Sequence, residues 1–295
     1  MLEATIAEQA AAIDALTLRL EAVEAAGYAT SGELDQRLGP LEALAPFIEV
    51  EGTTITVSGA NVRIVSGSGA TDGEVNGLGN LIVGYGEAEG DELRTGSHNL
   101  VVGPYHDYTS FGGLIAGSTN RISGPYSSIT GGDHSEAGGA LSVVSGGHYN
   151  TAGADNAWVG GGTYNLASQQ FASVAGGFRN EASGVSSMVS GGFEGLASAE
   201  AAVVSAGYRN IASGVYSTVS GGERNDATGQ ESAICAGSAN TATGDSASVA
   251  GGYMNDATGA SSSILGGYNN TASGTWSSLL GGQNEAISAD YAYGP

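Results

Sequence analysis

The sequence of 295 residues contains no lysine, one cysteine and five prolines, and charged residues make up only 13% of it. Its eight basic residues are all arginine and face thirty acidic ones, for a formal net charge of −22. We expect no nucleic-acid partner, because phosphate backbones are held by basic patches. The single cysteine, Cys235, excludes an intrachain disulfide framework and a cysteine-based zinc cluster.

Long hydrophobic runs are also missing, and no apolar stretch approaches the ~20 residues that a membrane-spanning helix needs. The sequence therefore predicts no direct membrane insertion. Acidic Glu3 and Glu8 stand where a secretory signal carries basic residues. We expect the signal and the anchor to lie outside this segment. The expected location is extracellular, at the cell surface or on the distal fibre of a phage or injection particle.

Glycine is abundant, with 51 residues, and small residues dominate the apolar fraction. Such a chain cannot build one thick core, which predicts thin layers repeated many times. From Gly112 the sequence repeats every 15 residues for twelve turns. We number the repeat so that Ser142 is position 1 and Asn156 is position 15.

Four positions of the repeat are nearly constant. Position 3 is Val, Ile or Leu from Leu114 to Leu279, and position 11 is Ala or Ile. Position 6 is always glycine, at Gly117, Gly132, Gly147, Gly162, Gly177, Gly192, Gly207, Gly222, Gly237, Gly252, Gly267 and Gly282. Position 9 is asparagine in nine turns, at Asn120, Asn150, Asn165, Asn180, Asn210, Asn225, Asn240, Asn255 and Asn270.

Fifteen residues suffice for two short strands and two tight turns, which is one coil of a narrow parallel β-solenoid. Position 3 then points inward, and the glycine at position 6 marks a corner that needs positive φ or close backbone approach. The asparagines predict a structural ladder whose amides bond the corner backbone and the neighbouring coil. At about 4.8 Å per layer, twelve coils make a rod of roughly 58 Å.

Residues 1–26 have a heptad pattern that predicts a coiled coil. Its seam consists of Leu2, Ile6, Gln9, Ile13, Leu16, Leu20 and Val23. An amphipathic helix that packs on its own domain is the alternative. A layer of one Val and one Ala is a marginal core, so the rods need lateral partners. We therefore expect a homotrimer, although the seam also suits a dimer.

The remaining segments connect or flank these two parts. Residues 27–46 are predicted as a short helical or linker segment, and 47–75 as a strand adaptor. In the adaptor, alternation predicts one strand through Ile55 and Val57 and a second through Val62 and Ile64. Residues 76–111 are predicted as irregular first solenoid turns, 112–291 as the 15-residue repeats and 292–295 as a tail.

The runs Ser217–Gly222 and Ala247–Gly252, each followed by Asn-x-Ala-Thr-Gly, resemble the head repeats of trimeric autotransporter adhesins. The resemblance covers residues 76–291. It implies a left-handed parallel β-roll, a homotrimer, a coiled-coil stalk and a place on a bacterial surface. The period of 15 differs from the roughly 14 of that family, and here the coil precedes the roll. Phage and contractile-injection fibres have a similar pattern.

The sequence thus predicts a non-enzymatic trimeric fibre or head segment for surface display and adhesion, with a host or surface protein or a glycan as candidate partner. One alternative is a tail or receptor-binding fibre of a phage or contractile injection system. A second is an ice- or glycan-binding solenoid, since position 12 is Ser or Thr in ten of twelve turns.

We predict no catalytic residues, no cofactor and no metal site. Carboxylates occur singly at variable positions, without the paired arrangement that glycan cleavage needs. The four histidines His98, His106, His134 and His148 are scattered, and the 14-residue offset between the last two does not match the repeat. They are interpreted as surface residues.

Aromatic residues recur at positions 7 and 15 and are candidate ligand contacts, because their rings stack on sugars or anchor in partner proteins. Packing across chains at the corners of a trimer is the alternative. The candidates are Phe178, Phe193, Tyr208, Tyr253 and Tyr268 at position 7, and Tyr216 and Trp276 at position 15.

Overall fold

The structure is a computed structural model that describes residues 2–25, 36, 39, 40, 42–88, 90 and 93–295, with the side chains of 2–10 and 24 left out. It divides into two units, Met1–Arg63 and Ile64–Pro295. The first contains a helix and a hairpin. The second contains all of the repeats.

Helix α1 spans Leu2–Ala25, a run rich in the strong helix formers Ala, Leu and Glu. The described residues of the predicted seam are Ile13, Leu16, Leu20 and Val23, and they are 63%, 63%, 55% and 47% exposed. No other part of the chain that the structure describes therefore covers their apolar side chains. The side chains of Leu2, Ile6 and Gln9 lie outside the described residues.

Strands β1 (Ile48–Glu51) and β2 (Thr54–Val57) form an antiparallel hairpin closed by Gly52 and Thr53. The predicted strand through Ile55 and Val57 is present. The predicted second strand through Val62 and Ile64 is wrong, because the two-residue turn pairs β2 with the segment before it. Most of the predicted short helix in 27–46 lies outside the described residues.

Residues from Ile64 onwards fold as a parallel β-solenoid of about 14 turns with two sheets. Sheet 1 contains Leu81–Val83, Leu100–Val102, Leu114–Ala116, Ser128–Ile129, Val143–Val144, Trp158–Val159, Ser173–Val174, Met188–Val189, Val203–Val204, Thr218–Val219, Ala233–Ile234, Ser248–Val249, Ser263–Ile264, Ser278–Leu279 and Tyr293–Gly294.

Sheet 2 forms the other wall of the solenoid, and each of its strands follows a sheet 1 strand along the chain. It contains Asp107–Tyr108, Arg121–Ile122, Glu136–Ala137, Thr151–Ala152, Leu166–Ala167, Glu181–Ala182, Leu196–Ala197, Ile211–Ala212, Asp226–Ala227, Thr241–Ala242, Asp256–Ala257, Thr271–Ala272 and Ala286–Ile287.

The register confirms the 15-residue period and corrects where it begins. Val144 pairs with Val159, and the same offset continues to the last strand pair. In the first repeat, however, Ile115 and not Leu114 is buried and pairs with Ile129. This coil has only 14 residues, because one residue fewer separates its strand from the corner at Gly117.

The core is a stack of thin layers, as the sparse large side chains predict. A typical layer consists of Ser142, Val144, Asn150 and Ala152, all fully buried. These are positions 1, 3, 9 and 11, so one branched aliphatic residue is the largest apolar contribution to each coil. Backbone hydrogen bonds also hold successive coils together. The strand of Val144 pairs in this way with the strand of the coil before it and with that of the coil after it.

Two columns of left-handed residues went unrecognised in the sequence. Every residue at positions 8 and 15 has a φ between 51° and 60°, although none is glycine. Consecutive N–H groups there point opposite ways along the rod: His148 donates to Gly162 in the next coil, and Tyr149 donates to Asp133 in the preceding one. The left-handed residue makes this reversal, and the bonds on both sides hold it in place.

Candidate functional surfaces

The outer face of sheet 1 carries no charged residue over thirteen coils, in a chain whose net charge is −22. Its side chains come from positions 2 and 4, which alternate with the buried position 3. In chain order they are Leu100, Val102, Leu114, Ala116, Ser128, Thr130, Val143, Ser145, Trp158, Gly160, Ser173, Ala175, Met188, Ser190, Val203, Ser205, Thr218, Ser220, Ala233, Cys235, Ser248, Ala250, Ser263, Leu265, Ser278 and Leu280.

This uncharged face also exposes large apolar groups. Trp158 and Met188 are each 40% exposed, while Leu265 and Leu280 near the C-terminal end are 57% and 65% exposed. Cys235 is a free, exposed cysteine on the same face. The absence of charge at positions 2 and 4 could have been read from the sequence once the inward-pointing position 3 was known.

The outer face of sheet 2 is different, because charged residues occur along it. Arg121 and Glu136 lie on adjacent coils with 3.9 Å between Nε and Oε1. Asp226 and Asp256 are half-buried, and the Oδ1 atom of each has no hydrogen-bond partner. Burial raises the pKa of both carboxyl groups.

The corner at positions 7 and 8 collects five of the seven predicted aromatic residues. Phe178 stacks on Phe193 with ring centroids 5.2 Å apart, and Phe193 stacks on Tyr208 at 5.1 Å. Tyr253 and Tyr268 form a second stack at 5.6 Å. The stacking occurs within one chain, so these rings already have partners without a second copy.

Tyr216 and Trp276, the two predicted aromatic residues at position 15, lie at the opposite corner. They are four coils apart and 54% and 59% exposed. The structure does not bring them together with the position 7 rings.

Arginine side chains cover part of the aromatic corner. The guanidinium carbon of Arg179 lies 5.0 Å from the ring centroid of Phe178, and that of Arg209 lies 5.0 Å from Tyr208. Glu194 sits between them, with carboxylate oxygens 3.7 Å from Arg179 Nη1 and 2.6 Å from Arg209 Nε. Charge and aromatic area are therefore interleaved on this edge.

The asparagine ladder runs inside the same corner. Asn225 Nδ2 donates to the carbonyl oxygens of Gly221 at 2.9 Å and Gly237 at 3.0 Å. Its Oδ1 accepts the backbone N–H of Asn240 at 3.1 Å. Each amide thus bonds its own corner and the next coil, and all nine asparagines are buried.

His106 is a member of this ladder, so its interpretation as a surface residue is wrong. It is 1% exposed, its Nδ1 accepts the Asn120 N–H at 3.2 Å and its Nε2 lies 3.0 Å from the Val102 carbonyl oxygen. Burial lowers the pKa of His106. The neutral imidazole with a proton on Nε2 satisfies both contacts and replaces asparagine at the start of the column.

Two other histidines meet at the outside of this corner. His134, His148 and Asp133 place one ligand atom each within 4.8 Å of one another. Hydrogen bonds from His148 and then His134 lower the pKa of the Asp133 carboxyl group. The sequence prediction treated these histidines as unrelated, because an offset of 14 does not match a period of 15.

No protein-family model matches the chain, and no curated protein matches it either. Within the described ranges, no helix is both long and apolar enough to cross a membrane.

Proposed function

We propose that this chain is a non-enzymatic segment of a homotrimeric extracellular fibre, in which three solenoids associate in parallel through the outer face of sheet 1 and display their corners for adhesion. The observation that carries the proposal is the uncharged outer face of sheet 1. In a chain with thirty acidic residues, a long strip that excludes all of them has the composition of an interface centre.

The size of the strip also fits lateral association. Thirteen coils at about 4.8 Å each make a face about 62 Å long, and with a width of about 10 Å it covers on the order of 600 Å². A standard protein interface buries ~800 Å² on each partner. The small residues Ser, Ala and Thr along the strip allow close approach, and Trp158 and Met188 supply apolar area.

Helix α1 supports the same assembly. Ile13, Leu16, Leu20 and Val23 are spaced by three and four residues and are largely exposed in the single chain. Heptad side chains of this kind are covered when parallel helices supercoil. A coiled coil would hold several chains in one register, and parallel solenoids need that register to match coil for coil.

Cys235 gives a direct test in the natural sequence. It is exposed in the single chain and lies in the uncharged face. We expect light scattering to give the mass of three chains, and a thiol reagent to label Cys235 far more slowly in the native protein than in urea. A monomeric mass together with fast native labelling would refute the trimer.

Charge variants separate the two sheets as interfaces. The double variant Ser190→Glu/Ser220→Glu places carboxylates on exposed position 4 residues of sheet 1, and we expect it to reduce the mass to that of one chain. Ser198→Glu/Thr228→Glu is the matched control on exposed position 12 residues of sheet 2. If only the control variant lost the trimer, the interface would lie on sheet 2 and the proposed sheet 1 interface would be wrong.

Adhesion is tested separately from assembly. Beads coated with the trimer should attach to cell monolayers, and glycosidase treatment of the cells distinguishes a glycan from a protein partner. Beads coated with the monomeric variant control for valency, since three linked sites bind more strongly than one. Attachment no better than that of uncoated beads would leave a fibre without an adhesive role.

A second candidate function, ice binding, rests on one specific feature. Thr228, Thr243 and Thr258 form an exposed hydroxyl column on consecutive coils of sheet 2. Freezing-point hysteresis in the full chain would support this function, and Thr243→Glu should then abolish it. No hysteresis would remove it. A phage or injection-machine tail fibre would share the trimeric assembly and differ in its partner.

A further inference from the structure

The parallel stacking of coils brings three potential metal ligands from two adjacent coils together at one corner of the rod. Asp133 and His148 both occupy position 7 and form a parallel bridge between adjacent coils. His134 occupies position 8, immediately after Asp133. A residue at position 8 and a residue at position 7 of the next coil are 14 apart in sequence and adjacent in space.

The backbone fixes all three residues before any ligand arrives. The N–H groups of Asp133 and His148 donate to Gly147 and Gly162 at 3.0 Å, and that of His134 donates to Ser118 at 3.3 Å. His134 has a φ of 51°, which belongs to the left-handed column. The Cα positions are therefore held by the inter-coil ladder, and only side-chain torsions remain free.

The donor atoms already converge. Asp133 Oδ1 lies 2.7 Å from His148 Nδ1, and Asp133 Oδ2 lies 3.1 Å from His134 Nδ1. Two ligand atoms on one tetrahedral zinc ion lie about 3.3 Å apart when each bond is 2.0–2.1 Å. Side-chain rotations bring the two Nδ1 atoms and a carboxylate oxygen around one metal ion, and each neutral imidazole then carries its proton on Nε2.

The surroundings favour a cation and restrict the imidazoles. The ring of Tyr149 packs 4.2 Å from His148 and 4.8 Å from His134, centroid to centroid. Within the described residues, the ion pairs of Asp133 are with these two histidines, so no arginine competes for the carboxylate. All three ligand side chains remain 41% exposed, which leaves a route for a hydrated ion.

We propose that Asp133, His134 and His148 form a binding site for a divalent transition-metal ion, with zinc as the expected occupant. The ligands are the Nδ1 atoms of both histidines and a carboxylate oxygen of Asp133, and water completes the coordination. Imidazole suits zinc, copper and nickel, whereas calcium and magnesium take oxygen ligands. The ion ties two successive coils together and keeps an open position towards solvent.

The site is independent of the oligomeric state, because every ligand comes from one chain. The test is calorimetric titration of the full-length protein with zinc chloride after treatment with a chelator. We expect one zinc ion bound per chain at this site. Removing a ligand should weaken the affinity by more than about tenfold, since even outer-shell changes cost 10–100-fold.

The repeat itself supplies variants that preserve the fold. Asp133→Ser, His148→Thr and His134→Ala each introduce a residue that the same column already contains, at Ser118, Thr163 and Ala239. Each variant should keep the melting temperature of the metal-free parent and lose zinc affinity. Glu181→Gln and Cys235→Ser control for lost charge and for the exposed thiol, and both should bind as the parent does.

Imidazole nitrogen NMR distinguishes this site from adventitious binding. Zinc should shift the Nδ1 resonances of His134 and His148 and leave those of His98 and His106 in place. Zinc affinity unchanged in Asp133→Ser and His148→Thr would overturn the proposal. A zinc-induced shift confined to His98 would overturn it as well, and so would the absence of any binding.

Discussion

Each coil turns twice, and the two corners satisfy their backbone in different ways. At the corner of positions 5 to 9, a buried asparagine bonds both its own coil and the next one. At the corner of positions 12 to 15, the following serine bonds only within its coil, as Ser277 Oγ does to Gly274 at 2.7 Å. There, the backbone N–H of Ser277 already reaches the same carbonyl oxygen.

The difference explains the two columns of the sequence. Position 9 is asparagine in nine of twelve turns, because its amide makes hydrogen bonds between coils that the backbone at this corner does not make. After Gly112, position 1 is either Ser or Ala, with Ala at Ala157 and Ala172 for example, because the hydroxyl adds a bond that the corner does not need. An inter-coil bond constrains the residue type more than an intra-coil bond.

The strongest disruption of the asparagine corner should come from its glycine. Gly222 has a φ of 92°, and a Cβ there would overlap the carbonyl oxygen of Gly237. We expect Gly222→Ala to cost at least about 3 kcal/mol, measured as a lower urea midpoint by circular dichroism. The adjacent Gly221→Ala is the control: nothing lies within 4 Å of its Cβ, so it should change the midpoint little.

Removing one amide from the ladder should have the next largest effect. Asn225→Ala leaves the Asn240 N–H and the carbonyl oxygens of Gly221 and Gly237 without their side-chain partner. We expect a loss of about 2–3 kcal/mol in the free energy of unfolding. Thr228→Ala, at an exposed position 12 outside the left-handed columns, should stay within about 0.5 kcal/mol of the parent. Equal losses in both variants would contradict a special role for the column.

Filling the gap in the ladder should stabilise the protein. Gly195 occupies the asparagine column, and its N–H donates to Asn180 Oδ1 at 2.8 Å, but it has no side chain to accept a hydrogen bond from the next coil. Gly195→Asn should gain about 1 kcal/mol, since it offers an acceptor to the Asn210 N–H. A Cβ there comes within 3.1 Å of Asn180 Oδ1, so the neighbours must shift slightly. Gly195→Ala also lowers the conformational entropy of the unfolded chain but adds no amide. An equal gain in both variants would show that the amide hydrogen bonds are not the cause of the stabilisation.

The serine corner should respond least. Ser277→Ala removes one intra-coil bond, and we expect a loss of at most about 1 kcal/mol in the urea titration. Ser232 has the same position but an unbonded Oγ, so Ser232→Ala should be neutral or slightly stabilising. A loss from Ser277→Ala as large as that from Asn225→Ala would erase the distinction between the corners.

The regular interior was predictable, and the exceptions were not. Position 3 and position 6 recur with a fixed period, so burial of Val144 and the corner at Gly147 follow from pattern alone. Leu114 was placed in the core by extending that period one coil too far, and a single missing residue before Gly117 moved Ile115 inward instead. His106 was misjudged because its role comes from the column it joins and not from its own neighbours in sequence.

The sequence analysis missed the candidate metal site for a related reason. His134 and His148 were compared by their position within the repeat, where they differ. The left-handed residue at position 8 turns its side chain towards the same edge as position 7 of the following coil, and sequence periodicity contains no information about that direction. Their convergence on Asp133 required the coordinates of both coils.

By itself the sequence determined that this chain is a thin parallel solenoid, because a strict 15-residue period with small residues admits few other ways to bury a side chain in every turn. Only the tertiary structure decided which columns meet across neighbouring coils. That decision depends on the left-handed corners, which set the direction of each side chain and N–H group along the rod. It brought His106 into the ladder of buried amides and gathered His134 and His148 around the carboxylate of Asp133.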